Sequence, residues 1–317
     1  MQIRPLRLGH LLLPSNVLMA PLAGYTCYPF RMLAYEMGAG LCFTEMVSAN
    51  ALKYQDRATK RLLFTTEEEP IKAVQLLGGI PAVMEQMAAS ELLAEFSVLD
   101  INMGCPVPNV FKSGEGSALM LDRKRAAAII RGCKKSGKIV TVKCRTGIQE
   151  DEMFTAEFAR LCEAAGADMI TIHGRSRSMM YDGRPYEREM ELAKAAVSIP
   201  VIANGGIFSV EAAERMLSQT GADGVMIARY GLEHPFIFKE LTGKACEKSP
   251  LEVVTEQIDL ANRYYEETFV LAYIKKLASY MMKGRKGTKQ YKERLHGSGS
   301  LAELREAVEL IFGEGTG

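Results

Sequence analysis

The sequence predicts an α/β fold, a (β/α)8 TIM barrel followed by a small C-terminal helical domain. Eight short apolar or β-branched runs recur along the first 230 residues, and helix patterns lie between them. This alternation is typical of a closed parallel barrel surrounded by helices. The strand pattern then stops, so we expect the barrel in residues 1–243 and the helical domain in residues 244–317.

The eight predicted strands are mostly near-continuous apolar runs, as expected of parallel strands that are buried on both faces. They span residues 16–20, 41–45, 71–75, 98–102, 139–143, 169–173, 201–205 and 224–228. A doubly wound open sheet is the alternative architecture. No GxGxxG follows a strand, however, so we do not expect a dinucleotide-binding Rossmann domain.

The helices between the strands are predicted from apolar spacing and from end signals. In the stretch DRKRAAAIIRGCKKSG, Ile129 and Cys133 lie on one helical face. Asp122 precedes this face as a predicted N-cap, and Gly137 follows it as a predicted stop. A later helix is predicted to begin at Ser209.

Composition and charge exclude several classes of protein. The chain has 317 residues and a net charge of +1, so binding of a polyanion requires a local basic patch. Its seven cysteines are scattered, without a CxxC, which favours reduced thiols and argues against a zinc cluster. No run is as long as a membrane helix, and the first residues lack the core of a signal peptide. We therefore expect a cytoplasmic monomer that binds no metal and no membrane.

Polar side chains follow the apolar strands, where loops of a barrel form its C-terminal face. Active sites of such barrels lie on that face. The residues at or just beyond the predicted strand ends are Pro21, Glu45, Gln75, Asn102, Cys105, Lys143, Arg145, His173, Arg175, Asn204, Gly205, Gly206 and Arg229. Any one of them could simply mark where the chain surfaces. A ring that contains a thiol, an amine, an imidazole and carboxamides instead indicates one reactive site.

The glycine-rich segments after the last two strands predict a phosphate site. VIANGGIFS follows the seventh strand and MIARYG follows the eighth. Glycines there expose backbone N–H groups, and barrels commonly bind phosphate at these loops. Arg229 can add charge-assisted hydrogen bonds. The alternative is two tight turns that require glycine.

The remaining polar residues fit a flavin bound in the barrel. A cation from Lys143 or His173 can stabilise negative charge on a reduced ring, and the amides of Gln75 and Asn102 can bond its polar edge. Cys105 lies in the loop INMGCPVPN, in a polar setting that distinguishes it from the other cysteines. It is therefore our candidate proton donor to a substrate stacked on the flavin.

Two other barrel chemistries use the same residues. Lys143 could form a Schiff base in an aldolase-type lyase. Glu45 and His173 could catalyse an isomerisation. Both alternatives leave the Cys105 loop unexplained.

Several long motifs resemble those of the tRNA-dihydrouridine synthases. They are MAPLAGYT, LDINMGCPVPNVFKSGEGSALM, VTVKCRTG, ITIHGRSRSMMYDG and IPVIANGGIFS with TGADGVMIAR, and they occur in order from residue 19 to about residue 238. The sequence is most similar to the bacterial B-type branch. This resemblance implies an FMN enzyme that uses NADPH to reduce the C5–C6 bond of specific uridines in tRNA.

The resemblance also implies a role for each residue that matches a motif. Hydride would pass from flavin N5 to C6 of uracil, and Cys105 would give a proton to C5. The residues expected to bind FMN are Pro21, Leu22, Ala23, Gln75, Asn102, Lys143, His173, Asn204, Gly205, Gly206, Ala228 and Arg229. The sequence departs from the family pattern at Cys27, Gly206 and Tyr230, and the last two flank the phosphate loops.

The C-terminal segment carries the basic charge. Residues 275–297 contain eight Lys or Arg against one acid, Glu293. Such a run can be a solvated helix face, but beside a tRNA-modifying barrel it predicts phosphate contacts. The expected substrate-binding residues are Lys276, Lys283, Arg285, Lys286 and Lys289, with Arg145, Arg175 and Arg177 at the mouth of the barrel. Tyr280 and Tyr291 are candidates for stacking on unpaired bases.

Two other functions remain open at this point. One is a flavin barrel that reduces a small molecule such as a pyrimidine or an enone, which the basic segment disfavours. The other is an RNA-binding protein that keeps FMN for structure and has no catalytic use for Cys105.

Overall fold

The structure is a computed structural model that describes residues 3–284 and 288–313. Its strands are β1 (Leu6–Leu8), β2 (Leu11–Leu13), β3 (Val17–Met19), β4 (Leu41–Ser48), β5 (Ala73–Leu77), β6 (Val98–Met103), β7 (Ile139–Arg145), β8 (Met169–His173), β9 (Val201–Asn204) and β10 (Gly224–Ile227). Strands β3 to β10 form a closed parallel barrel in which neighbours in sequence pair and β10 pairs with β3. The predicted (β/α)8 barrel is confirmed, and each predicted strand overlaps one of these eight.

Helices surround the barrel and continue after it. They are α1 (Tyr28–Glu36), α2 (Ala49–Lys53), α3 (Arg57–Arg61), α4 (Pro81–Ala88), α5 (Pro108–Lys112), α6 (Arg123–Lys134), α7 (Thr155–Ala164), α8 (Glu187–Ala196), α9 (Val210–Thr220), α10 (Arg229–Glu233), α11 (Ile237–Thr242), α12 (Pro250–Tyr264), α13 (Glu267–Met281), α14 (Thr288–Gly297) and α15 (Leu301–Phe312). Short 3₁₀ helices span Glu91–Leu93 and Gly116–Met120. Helices alone follow β10 in the described chain, as predicted.

The predicted helix signals act at the expected positions. The Asp122 side chain caps α6 by accepting from the Arg125 amide at 3.0 Å, and Gly137 follows this helix with a φ of +77°. The Ser209 side chain caps α9 by accepting from the amide of Ala212. These hydrogen bonds satisfy amides that a helix end otherwise leaves without partners.

At the start of both α12 and α15 the sequence Ser-x-x-Glu predicts a capping box, but the hydrogen bonds at the two helix ends differ. Ser249 and Glu252 form the full reciprocal pair at the start of α12. At the start of α15 the Ser300 hydroxyl accepts from the Glu303 amide at 3.3 Å. The Glu303 carboxylate, however, accepts from the Gly299 amide at 2.6 Å instead of the Ser300 amide, so the reciprocal half of that box was a wrong prediction.

Three polar residues expected at strand ends lie inside longer strands. Glu45 is within β4 because that strand continues to Ser48, which pairs with Leu77 of β5. Gln75 is for the same reason in the middle of β5, and β7 continues two residues past Lys143. Parallel pairing with extended neighbours thus carries these side chains below the rim of the barrel.

An antiparallel hairpin, β1–β2, closes the N-terminal end of the barrel, and the sequence analysis did not predict it. Leu8 and Leu13 are fully buried in one cluster with the first residues of barrel strands, including Val98 and Ile139. Gly9 makes the turn with a φ of +57°, and an added Cβ would lie 3.1 Å from the Ile139 side chain. Apolar side chains therefore fill this end, and the opposite end carries the polar ring.

The C-terminal helices pack onto the barrel. Helix α12 lies against α1, and α13 lies against α10, which directly follows the last barrel strand. The buried Tyr273 hydroxyl of α13 donates to Gln257 of α12 at 2.5 Å. These contacts place one end of α13 beside the polar end of the barrel. The domain boundary between residues 243 and 244 stays a prediction.

Candidate active site

A cavity of about 370 Å³ opens at the C-terminal end of the barrel. Its size lies in the range of small-molecule and cofactor sites. The predicted residues that line it are Pro21, Leu22, Ala23, Gln75, Asn102, Cys105, Lys143, Arg145, His173, Arg175, Asn204, Gly205, Gly206, Ala228 and Arg229. The structure thus brings together every cofactor-binding residue and the catalytic cysteine expected from the sequence.

The floor of the cavity carries the partly buried ammonium group of Lys143. Lys143 Nζ donates to Asn204 Oδ1 at 3.0 Å, and Asn204 Nδ2 donates to the Met226 carbonyl at 2.7 Å. Burial, and then the neighbouring Arg145, lowers the pKa of Lys143 to about 8. The lysine is therefore mostly charged at neutral pH and points at the cavity with its side chain oriented by Asn204.

His173 is neutral, in contrast to Lys143. Burial lowers its pKa well below the usual value, and the cations Lys143, Arg145 and Arg175 lower it further. The guanidinium of Arg175 lies 3.3 Å from His173 Nε2. Of the two cations that the sequence offered for a reduced ring, only Lys143 is charged at neutral pH.

The loop that carries Cys105 is held by several hydrogen bonds. The Asn102 side-chain oxygen accepts from the amides of Gly104 and Cys105 at 3.1 and 2.9 Å. The Ser117 hydroxyl donates to the Cys105 carbonyl at 2.8 Å. Gly116, with a φ of +58°, packs so closely that an added Cβ would lie 2.9 Å from Cys105 Cβ. The thiol is therefore presented by a defined loop.

The Cys105 thiol is half-buried and protonated. Burial raises its pKa, and the smaller effects of the Val107 amide and of Arg145 act in the opposite direction. A thiol that keeps its proton at neutral pH suits a proton donor better than a nucleophile.

The two glycines after β9 adopt backbone conformations that suit glycine. Gly205 has a φ of +110° and Gly206 a φ of +70°. An added Cβ would lie 2.8 Å from the His173 ring at Gly205, and 2.8 Å from the Pro185 ring at Gly206. The left-handed conformation and the contact with Pro185 both disfavour a side chain at Gly206.

Two of the three arginines predicted to contact substrate are held by backbone carbonyls. Arg145 donates through Nε to Gly104 at 2.8 Å, and through Nη1 to Ser176 and Met180 at 2.8 and 2.7 Å. It thereby joins the loops that follow β6 and β8. Arg175 donates through Nη2 to the Gly183 carbonyl at 2.7 Å.

Arg177 does not line the cavity. Its guanidinium carbon lies 3.8 Å from the centre of the Phe111 ring instead. Phe111 belongs to α5, just beyond the Cys105 loop. Arg177 therefore lies outside the cavity, although the sequence predicted it at the mouth of the barrel with Arg145 and Arg175.

Aromatic rings that the sequence analysis did not assign surround the mouth. Tyr181 is 48% exposed and lies between the guanidinium groups of Arg145 and Arg229, 5.5 and 5.2 Å from its ring centre. Tyr25 contacts Tyr280 of α13, a predicted base-stacking residue that does line the cavity. The available signal for these rings was their position just beyond barrel strands.

Asp100, directly beneath the site, was also missed. It is 1% exposed and accepts from Gln75 Nε2 at 2.7 Å and from Thr141 Oγ1 at 2.6 Å. The sequence signal was an acidic residue inside the apolar run VLDIN. A buried carboxylate needs such partners to offset its lost hydration.

The predicted C-terminal cations are only partly described. Lys276 lies at the mouth, with Nζ 5.8 Å from the Tyr25 ring centre. Lys283 forms an ion pair with Glu233 of α10 at 2.5 Å, and Lys289 is exposed on α14. Arg285 and Lys286 fall outside the described residues.

The described part of the chain has neither a metal-binding cluster nor a membrane-spanning helix. No group of three or more His, Cys, Asp or Glu side chains there could hold a metal ion. None of the helices in residues 3–284 and 288–313 combines the length and apolarity needed to cross a membrane.

Comparison of the fold with solved structures returns other barrels. Morphinone reductase superposes with a TM-score of 0.57 at 15% identity, over 78% of this chain and 91% of that chain. 2-Naphthoyl-CoA reductase superposes with a TM-score of 0.59 at 12% identity, over 76% of this chain and 52% of that chain. At these identities the likeness concerns the fold alone.

Comparison of the sequence identifies relatives along most of the chain. A tRNA-dihydrouridine synthase B from Klebsiella pneumoniae is 32% identical over 317 residues, 97% of this chain and 99% of its own length. A tRNA-dihydrouridine synthase B from Pseudomonas aeruginosa is 33% identical, over 90% and 89%. A probable tRNA-dihydrouridine synthase 1 from Synechocystis is 38% identical, over 83% and 75%. The family model described as dihydrouridine synthase matches residues 18–314, so the chain belongs to the dihydrouridine synthase family.

Proposed function

We propose that this protein reduces the C5–C6 double bond of specific uridines in tRNA to 5,6-dihydrouridine, with FMN as bound cofactor and NADPH as reductant. The observation that carries the proposal is that one cavity contains both the protonated Cys105 thiol and the Lys143 ammonium group. The family and the names of the relatives support the same reaction.

The residues of the cavity fit a phosphorylated flavin. Gly205 and Gly206 lie so close to His173 and Pro185 that only glycine fits without a shift, and Arg229 offers a positive charge in the same cavity. This is the donor set that a phosphate requires. The backbone of Pro21, Leu22 and Ala23 would line the ring, and Gln75, Asn102, Lys143, His173, Asn204 and Ala228 would complete the cofactor site.

The chain itself supplies charge and a proton. When bound and reduced by NADPH, FMN supplies the hydride that uracil accepts at C6. Lys143 stabilises negative charge in the cavity, because its ammonium group is partly buried and oriented by Asn204. The Cys105 thiol, which burial keeps protonated, gives a proton to C5.

Binding of tRNA is assigned to the helical region, residues 244–317, and to the rim of the cavity. Lys276, Lys283, Arg285, Lys286 and Lys289 would pair with phosphates and give affinity rather than sequence reading. Arg145 and Arg175 would add positive charge at the rim, where they also fix the loops, whereas Arg177 packs on Phe111 outside the cavity. Because the cavity lies within the barrel mouth, the target uridine must leave its stack to enter it.

The proposed compartment is the cytoplasm, and the proposed state is a monomer. All seven cysteines are free thiols, which suits a reducing compartment.

The first experiment is a visible spectrum of the purified protein, followed by NADPH in the absence of air. We expect a flavin band at about 450 nm that bleaches with NADPH. The band should return on addition of tRNA transcribed without modifications. Free uridine is the control and should not restore the band. A protein that neither contains flavin nor takes it up would contradict the proposal. Restoration by free uridine would indicate a small-molecule reductase.

A further inference from the structure

The Cys105 loop is connected to the buried carboxylate of Asp100 by a chain of side-chain amides. Asp100 Oδ2 accepts from Gln75 Nε2 at 2.7 Å, and Gln75 Oε1 accepts from Asn102 Nδ2 at 2.9 Å. Asn102 Oδ1 then accepts from the Cys105 amide at 2.9 Å. This series of hydrogen bonds starts beneath the cavity, since Asp100 does not line the cavity, and ends on the backbone amide of Cys105.

The direction of these hydrogen bonds is set at one end. An ionised carboxylate can only accept, whereas a carboxamide can turn and exchange its donor and acceptor ends. Asp100 therefore requires the NH₂ group of Gln75, which leaves Gln75 Oε1 for the NH₂ group of Asn102. Asn102 must in turn present its oxygen to the Cys105 amide. Reversal of either amide would place two NH₂ groups or two oxygens face to face.

The burial and charge of Asp100 support this role. Asp100 and Gln75 are each 1% exposed, so water does not offer them alternative partners. Burial raises the pKa of Asp100 to about 6, against the opposing effects of Gln75, Thr141 and Lys143. The carboxyl group is therefore ionised at neutral pH and above.

We propose that Asp100 is a positioning residue, which fixes the orientation of the Gln75 and Asn102 amides and through them holds the Cys105 loop in place. The proposal rests on the proposed function only for the catalytic importance of Cys105. The orientation itself is a property of the protein that can be measured without catalysis.

The test is the rate at which iodoacetamide alkylates Cys105, followed peptide by peptide in the full-length purified protein. In Asp100→Leu the acceptor is lost, Gln75 can turn, and the loop loses its restraint. We expect alkylation of Cys105 to become roughly fivefold faster, the factor that follows from one lost hydrogen bond. The matched control is Thr141→Val, which removes the other partner of Asp100 and leaves the amide chain intact. It should lower the melting temperature without changing the alkylation rate.

A rescue variant makes the test specific for hydrogen-bond direction. In the double variant Gln75→Glu with Asp100→Asn, the acceptor-only group moves from position 100 to position 75. The new amide can donate to it and still accept from Thr141, and Asn102 keeps its orientation. Cys105 should then be alkylated at nearly the wild-type rate. In Asp100→Asn alone the new amide can turn, the direction of the hydrogen bonds is no longer set, and alkylation should be fast.

The outcomes separate the proposals. Equal alkylation rates in Asp100→Leu and Thr141→Val would assign Asp100 a merely structural role. If Asp100→Leu does not fold, the comparison of Asp100→Asn with the double variant decides, and equal rates there would overturn the positioning role. Failure of the wild-type protein to reduce tRNA would contradict the proposed function and leave these rates interpretable.

Discussion

Tyr280 of α13 meets Tyr25 of the loop after β3 edge to face, with ring centres 5.2 Å apart and planes at 81°. Both rings line the cavity. The helical region after the barrel therefore contributes directly to the site, and its contribution is an aromatic surface at the place where a base would enter.

Replacement of Tyr280 should weaken the productive binding of tRNA and leave flavin binding intact. Loss of a stacking surface should weaken the binding free energy of tRNA by about 1–2 kcal/mol in Tyr280→Ala. The apparent dissociation constant should rise accordingly. Tyr280→Phe keeps the ring and should bind tRNA nearly as the wild type does. Filter-binding titrations with unmodified tRNA measure the difference, and equal losses in the two variants would argue against stacking.

Replacement of Cys105 should abolish reduction of tRNA without preventing reduction of the flavin. Loss of a positioned proton donor costs on the order of 10²–10⁴ in rate, so Cys105→Ala should form dihydrouridine at least about 100-fold more slowly. Its flavin band should still bleach with NADPH. Cys246→Ala, which alters the other half-buried thiol, should react normally. Near-normal dihydrouridine formation by Cys105→Ala, measured by mass spectrometry, would assign the proton to another group.

The phosphate loop can be tested with two glycines of similar backbone conformation. Gly206 and Gly221 have φ values of +70° and +62°, but only at Gly206 would an added Cβ meet a neighbour, Pro185. Both alanine variants should lose at least about 1 kcal/mol of stability because of the left-handed conformation, and Gly206→Ala should lose more because its Cβ meets Pro185. Only Gly206→Ala should also lose FMN affinity, by roughly tenfold, in a fluorescence-quenching titration. Unchanged affinity in Gly206→Ala would place the phosphate elsewhere.

The buried charge of Lys143 should make stability depend on pH in a defined direction. Its pKa of about 8 in the folded protein lies below its ordinary value of 10.5. Below about pH 8 both states carry the proton, and the folded state bears the full cost of the buried charge. Between the two pKa values the unfolded chain binds more protons, so stability rises with pH.

Urea unfolding of the flavin-free protein measures this effect. Wild type should become more stable relative to Lys143→Met as the pH rises from about 7 to about 10, since the methionine variant lacks this titration. A difference that is constant with pH would show that Lys143 keeps its proton throughout.

The basic helices predict a change in the salt dependence of tRNA binding. Lys276→Ala should lower the slope of log K against log salt by about 1, the value for one lost phosphate contact. Lys135→Ala removes a lysine that pairs with Glu85 beside α6, away from the cavity, and should leave the slope unchanged. Equal slopes for the wild type, Lys276→Ala and Lys135→Ala would show that Lys276 does not contact a phosphate of tRNA.

Most of the barrel and most of the site could be predicted from the sequence because both follow local rules. Buried parallel strands are apolar along their whole length, and each strand end is followed by a few polar residues. Once the strands are located, Gln75, Lys143 and Asn204 must lie around one opening, whatever the details of packing.

The features that were missed depend on long-range contacts. Strand β4 extends to Ser48 because it pairs with β5, and Tyr25 lies at the site because α13 packs over it. Arg145 serves two loops because the loop after β8 folds back to offer carbonyls. The low pKa of His173 arises first from its burial and then from nearby cations, of which Lys143, Arg145 and Arg229 lie far from it in the sequence.

The hairpin of β1 and β2 has a consequence for the order of events. It fills one end of the barrel with leucines, which leaves the polar mouth as the route to the partly buried ammonium of Lys143. Under the proposed function, a nicotinamide donor and a uridine of tRNA would both have to reach the flavin through that mouth. If the two bind there one after the other, the proposed flavin would hold the pair of electrons between departure of the donor and arrival of the nucleic acid.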